Sequence, residues 1–279
     1  MAYDSRGKQY FVGLPQLRKI VKIPAKGAAT DFWGTAPIPA ANTVWAKHLP
    51  VLGEVTGLRV DAAHRSLWAC ASGWGPVGKR AGLWEFDTRS GTLRQLAFVT
   101  DTVRQHSFHD LAVTAQGVVY TTDSASGGLY RMRTKMPLTE EIEAWLPADT
   151  FVRPTHLCLN AEDNALYVVH AGGLARIALA TKQITPVATP GKLAVDSITG
   201  LYYQNGYLLV LDNPTTPKLV RYRLDTAASG LVLVDALPLP LPTPPAGPVA
   251  GMVVGNEFYY TSTPAANSAA EPLLHISLL

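Results

Sequence analysis

Hydrophobic and polar positions alternate along this chain in short runs, and the same phrase returns at intervals. A small or turn residue is followed by three or four alternating residues, a polar turn and an apolar-aromatic run. It reads Thr56-Gly57-Leu58-Arg59-Val60-Asp61, then Ser66-Leu67-Trp68-Ala69-Cys70. It returns at His109-Asp110-Leu111-Ala112-Val113, at Thr155-His156-Leu157-Cys158-Leu159, at Thr199-Gly200-Leu201-Tyr202-Tyr203 and at Ala250-Gly251-Met252-Val253-Val254. An apolar run follows each, such as Val118–Asp123, Ala165–His170, Tyr207–Asp212 and Glu257–Ser262. The opening, Ala2–Gly7 and then Gln9–Gly13, is a sixth copy that lacks its first residues. A period of two predicts strands with one face inward and one outward.

The starts at Gly57, Asp110, His156, Gly200 and Gly251 are separated by 53, 46, 44 and 51 residues. That spacing suits a four-stranded antiparallel unit. Third strands are expected at Arg18–Ile23, Gly82–Asp87, Gly128–Met132, Gly173–Ile177 and Lys218–Arg223, and outer strands at Thr43–Ala46, Leu93–Leu96, Ile184–Val187 and Leu231–Val234. The fold class predicted is all-β, a six-bladed β-propeller with mostly four-stranded blades around a central channel. Residues 1–279 are read as one domain whose first blade is truncated at its N-terminus. The last copy ends on Pro272–Leu278, so a three-stranded or irregular closing blade is expected. Leu138–Leu146 reads as a helix, because Thr139-Glu140-Glu141 suits a helix start. The proline-rich stretch Pro238–Pro248 reads as an extended connection within the domain.

Composition narrows the class of partner. A net charge of +3 with no Lys/Arg run argues against nucleic acid. No stretch reaches the ~18 apolar residues of a membrane span, and the start is no signal peptide. Cys70 and Cys158 lie in apolar runs, so buried free thiols are expected over a disulfide. Trp68, Trp74 and Trp84 read as blade core, and Gly73–Gly78 lacks the Lys-Ser/Thr of a phosphate loop. His106 is expected on the surface.

The phrases His109–Gly117 and Pro154-Thr155-His156-Leu157, with the Leu-Tyr-Val runs, resemble the senescence-marker-protein/gluconolactonase/luciferin-regenerating family over essentially the whole chain. That resemblance implies hydrolysis of a small lactone or ester at the channel mouth. It also implies a divalent metal, usually calcium, held by Glu, Asn and Asp at the starts of inner strands. Here the sequence departs from the pattern. His109-Asp110 replaces Asn-Asp, Pro154-Thr155-His156 replaces Pro-Asn-Gly, and Thr199 stands for the late Asp. The alternative to the hydrolase is a ligand-binding or scaffold propeller that has lost the metal ligands.

If the copies superpose, one ring is Thr56, His109, Thr155, Thr199 and Ala250, and the next is Gly57, Asp110, His156, Gly200 and Gly251. His109, Asp110 and His156 are the catalytic candidates, since a carboxylate beside imidazoles can orient a base near neutral pH. The alternative reading is that the same residues only bind ordered water or backbone. Thr56, Thr155, Thr199, Asp123, His170 and Asp212 are the candidate ligand-binding residues. A small-molecule ligand in the channel is expected. Oligomeric state and localisation stay open, the resemblance admitting an exported mature form.

Overall fold

The computed structural model describes residues 1–33, 51–75, 78–101, 103–133, 142–191, 193–225, 230–241, 249–262 and 273–278. They form six antiparallel sheets, each built from strands consecutive in sequence. No α-helix occurs among them, and no helix is long and apolar enough to cross a membrane. The all-β expectation and its sixfold repetition hold.

The chain divides into two compact units, Met1–Pro147 and Ala148–Leu279. The first carries three four-stranded sheets. Sheet 1 is β1 (Ala2–Asp4), β2 (Gln9–Leu14), β3 (Lys19–Pro24) and β4 (Thr30–Trp33). Sheet 2 is β5 (Val51–Asp61), β6 (Ser66–Gly75), β7 (Gly78–Asp87) and β8 (Leu93–Phe98). Sheet 3 is β9 (Phe108–Val113), β10 (Val118–Asp123), β11 (Leu129–Arg133) and β12 (Glu143–Leu146).

The second unit carries the other three. Sheet 4 is β13 (Leu157–Leu159), β14 (Ala165–His170), β15 (Gly173–Ala178) and β16 (Ile184–Val187). Sheet 5 is β17 (Ile198–Gln204), β18 (Tyr207–Asp212), β19 (Lys218–Leu224) and β20 (Leu231–Pro238). Sheet 6 has three strands among the described residues, β21 (Val249–Val254), β22 (Glu257–Ser262) and β23 (Leu274–Ser277).

Strand alternation explains why the sheets stack. Along β6, Leu67, Ala69 and Ala71 join one apolar cluster with Phe11 and Ile20 of sheet 1. The intervening Trp68 and Cys70 join another with Leu111, Val119 and Met132 of sheet 3. One strand therefore feeds two cores, as a period of two requires when both faces are covered. In the second unit β18 does the same, with Leu208 and Val210 packing toward sheet 4 and Leu209 and Leu211 toward sheet 6. Trp68 and Trp84 are fully buried, as expected of blade core. Cys70 and Cys158 are buried thiols that form no disulfide.

Three expectations need correction. Glu143–Leu146 is a strand and not the end of a helix. Trp145 packs edge-on against Tyr120 with ring centroids 4.8 Å apart, and Arg131 grips Glu143 from β11 in a forked ion pair. Those tertiary contacts outweigh the helix-start signal, whose residues 139–141 lie outside the described set, as does Leu138. The outer strand of sheet 1 is Thr30–Trp33, while Thr43–Ala46 lies outside the described residues. Its register follows from Trp33 pairing with Ile20 and packing on Phe86, which puts an aromatic ring into the core. His106 is buried, for reasons given below. Residues 76–77, 242–248 and 272 also lie outside the described residues, so the glycine-rich loop, the proline-rich connection and Pro272–Leu278 are seen only in part.

Candidate functional site

In the first unit β5 and β9 run side by side as the first strands of their sheets. The Thr56 hydroxyl donates to the Phe108 carbonyl at 2.8 Å, with the Cys70 carbonyl at 3.2 Å. Gly57 comes next. A Cβ there would stand 2.7 Å from Cys70 Sγ and 3.0 Å from Asp110 Cα, so only glycine lets the two strands approach this closely. Burial pushes the Cys70 thiol up to about 12, which keeps it neutral and unreactive.

Asp110 is buried, and its polar atoms are engaged. Its Oδ1 accepts the Leu111 N–H at 2.8 Å, and its Oδ2 lies 3.2 Å from the Arg59 guanidinium. Its own N–H donates to Thr122 Oγ1 at 3.3 Å, and its carbonyl accepts the Thr121 hydroxyl at 2.8 Å. Arg59 also donates to the Leu58 carbonyl at 2.8 Å. His109 precedes it on β9 and is half-buried.

A second group, unforeseen in the sequence, lies where the chain enters β9. The His106 side chain is only 5% exposed. Its Nδ1 donates to Asp123 Oδ2 at 2.5 Å, and its ring meets Tyr130 edge-on at 5.7 Å. Asp123 is fully buried and also accepts the N–H groups of Ser107, Ala125 and Ser126 and the Ser126 hydroxyl. His106 Nε2 has no hydrogen-bond partner, and Asp101 Oδ2 stands 3.6 Å away. The Val103 N–H, at 2.7 Å, is the main cause that holds the Asp101 carboxyl below the usual range. The usable signal was a histidine three residues before the repeat phrase that opens at His109, with an Asp closing the second strand of the same copy. Burial pushes the Tyr130 phenol up, and the nearby Asp123 carboxylate adds to this.

In the second unit the same register appears. The Thr199 hydroxyl donates to the Val249 carbonyl at 2.9 Å, repeating what Thr56 does to Phe108. Thr155 donates its N–H to the Val169 carbonyl at 2.8 Å within its own sheet. His156 is buried, and its Nε2 donates to the Ile198 carbonyl at 3.1 Å, which fixes the tautomer. His170 packs against Phe151 with the rings tilted at 43° and 4.9 Å apart, and it accepts the Gly172 N–H at 3.1 Å, while burial pushes its imidazole down toward the neutral form. Asp212 accepts the Ser197 hydroxyl at 2.5 Å and lies 3.3 Å from Lys218. Asp123 and Asp212 thus hold the loop that enters their own sheet: Ser124 and Asn213 donate to the Ser107 and Ser197 carbonyls in the same way. His109 and Asp110 belong to the first unit and His156 to the second.

The donors at these positions do not fit calcium. A hard cation needs several free oxygens. Here Asp110 already faces a guanidinium, and the Thr56 and Thr199 hydroxyls point their protons at carbonyls. Among the described residues, no group of three or more His, Cys, Asp or Glu side chains converges to hold a metal.

No family model and no curated protein matches the sequence. Solved structures do. A calcium-binding protein, regucalcin, from Agrobacterium tumefaciens is similar with a TM-score of 0.63 at 12% identity, covering 96% of this chain and 82% of that one. A catalytically inactive variant of virginiamycin B lyase from Staphylococcus aureus with quinupristin gives 0.60 at 14%, covering 93% and 75%. A nidogen/laminin complex gives 0.56 at 14%, covering 91% and 84%. With six sheets of consecutive antiparallel strands, these likenesses decide the architecture. The chain is a six-bladed β-propeller. At such identities the likeness is one of fold alone, and a propeller can carry many unrelated sites.

Proposed function

We propose that this protein is a gluconolactonase-like propeller in architecture that binds a small molecule without metal-assisted lactone or ester hydrolysis. The observation behind this reading is the state of Asp110. It is the one carboxylate among the ring positions singled out in the sequence, and a guanidinium and a backbone N–H occupy its two oxygens. A carboxylate so engaged can neither ligate a cation nor take a proton from water without disturbing a partly buried ion pair. The threonines of the same ring connect neighbouring strands.

The test is calorimetric titration of the purified protein with calcium, together with a lactone and ester panel assayed with and without the ion. The expected result is no saturable calcium binding and no turnover above the buffer rate. Calcium-dependent hydrolysis that Asp110→Asn abolishes would overturn the reading.

One observation favours a second reading. The buried Asp123–His106 pair leaves Nε2 without a hydrogen bond, the arrangement a general base needs. On that reading turnover is metal-independent, and His106→Gln removes it while Asp110→Asn does not. A panel on which the wild type and His106→Gln are both inert rejects it.

A further inference from the structure

The turns of sheets 1 and 2 enclose a cleft of about 420 Å³ in the first unit. It opens at the end of β5 that carries Asp61, several residues along the strand from Thr56 and Gly57, so it is separate from the site described above. Arg6 from the β1–β2 turn, Lys22 from β3, Arg65 from the β5–β6 turn and Arg89 from the turn after β7 line it. Among the described residues these four cationic heads make no ion pair or hydrogen bond with protein.

The floor of the cleft is built and satisfied. Asp4 is buried, its Oδ1 accepting the Arg6 N–H at 3.0 Å and its Oδ2 the Gln9 amide at 3.1 Å. The same Gln9 amide donates to the Thr88 carbonyl at 2.9 Å, joining sheet 1 to sheet 2. The Thr88 N–H in turn donates to the Arg65 carbonyl at 3.0 Å, which sets the two turns side by side. Arg65 adopts a left-handed backbone, with φ of 55°, to make its tight turn. A Cβ on Gly7 would stand 2.6 Å from Asp4 Oδ2 and 2.7 Å from Gln9 Nε2, so any larger residue would disturb this floor.

Four cations against one carboxylate leave a local formal charge of +3. Asp4 is already engaged inward and does not neutralise the mouth. Guanidinium forks match phosphoryl oxygens bidentately, and a phosphate monoester carries about −1.5 to −2 at neutral pH. Two phosphoryl groups, about −3 in all, therefore balance this cleft, whereas a single carboxylate leaves most of its charge uncompensated. The volume lies in the range of small-ligand sites, at about 300–1,000 Å³.

We propose that the Arg6, Lys22, Arg65 and Arg89 cleft binds a small ligand carrying two linked phosphoryl groups. This goes beyond the function proposed above, and it uses no residue of that site.

The test is isothermal titration of the full chain with inorganic pyrophosphate, ADP and AMP at low and at physiological salt. Pyrophosphate and ADP are expected to bind with one-to-one stoichiometry, and AMP at least about tenfold more weakly for want of the second group. ADP tighter than pyrophosphate indicates that the organic part is also held, and equal affinity indicates that the phosphoryl pair is the whole ligand; both support the site. The doubly substituted Arg65→Gln/Arg89→Gln protein should bind pyrophosphate at least about tenfold more weakly, and Arg6→Gln weaker than wild type. Arg18→Gln, an exposed cation outside the cleft, should leave affinity unchanged. All these side chains are at the surface, and a thermal melt of each variant checks that folding is intact. Absence of binding at millimolar pyrophosphate overturns the proposal. So does equal weakening by Arg18→Gln, or unchanged affinity in both cleft variants.

Discussion

Replacing Gly57 by alanine tests how closely β5 and β9 must approach. The added methyl would sit 2.7 Å from Cys70 Sγ, 3.0 Å from Asp110 Cα and 3.1 Å from Asp110 Oδ1. The sulfur belongs to a buried side chain and the Cα to a neighbouring strand, so neither can swing clear. Overpacking of this kind costs about 1–3 kcal/mol. The backbone contact puts Gly57→Ala at the upper end, about 2–3 kcal/mol, because the strand pair must separate and stretch the Arg59–Asp110 contact. In a chain of this size that lowers Tm by about 3–5 °C. Cys70→Ala removes the shortest of the three approaches and alone costs about 1–2 kcal/mol for lost packing. The double variant should therefore be more stable than the sum of the singles predicts, by about 1 kcal/mol. Urea unfolding of the four proteins, followed by tryptophan fluorescence, measures that coupling. Additive singles, or a Gly57→Ala cost below about 0.5 kcal/mol, would show that the strands have room that the geometry denies.

Trp145→Ala should destabilise by about 3–5 kcal/mol, since the ring is fully buried on Tyr120, and urea unfolding reads this directly. The thiols of Cys70 and Cys158 should react with a thiol reagent at pH 8 only after denaturant is added; rapid labelling of Cys70 in the native protein would contradict its burial and raised pKa. Burial is the main cause that pushes the Glu85 carboxyl up, against the opposing Ser66 hydrogen bond. A carboxyl raised on folding adds stability below its unfolded pKa and loses it as pH rises through the folded one. Glu85→Gln should thus gain on the wild type at pH 7, and the gain should shrink as pH approaches the ordinary carboxylate value of 4.5. A difference that is flat with pH would show that Glu85 is not the group responsible.

The repeat made the strand order within each sheet, and some matching positions between sheets, legible in the sequence. Thr56 and Thr199, matched only by their place in the phrase, make the same hydrogen bond to the strand that follows. Asp123 and Asp212, matched likewise, hold the loop entering their own sheet. Pair chemistry between distant segments was not legible. Nothing in the residues around Asp110 announces that Arg59, 51 positions earlier, takes its Oδ2. His106 looked like a loop residue because its burial depends on Asp123, 17 positions on. Glu143–Leu146 carries a helix-like local signal, and only Tyr120 and Arg131 make it a strand. The basic cleft has no signature in the sequence, because its four cations are scattered over three turns and a strand, with no run to mark them.

Asp212 fastening Ser197 has an engineering consequence. The segment between β16 and Ser197 is secured at its exit by a carboxylate of the sheet it leads into, and the Asn213 N–H closes the same junction on the Ser197 carbonyl. Foreign peptide grafted upstream of Ser197 would leave that fastening, and the pairing register of β17, untouched. The protein thereby offers a ready display scaffold, in which an inserted sequence can vary in length while the framework beneath keeps its alignment.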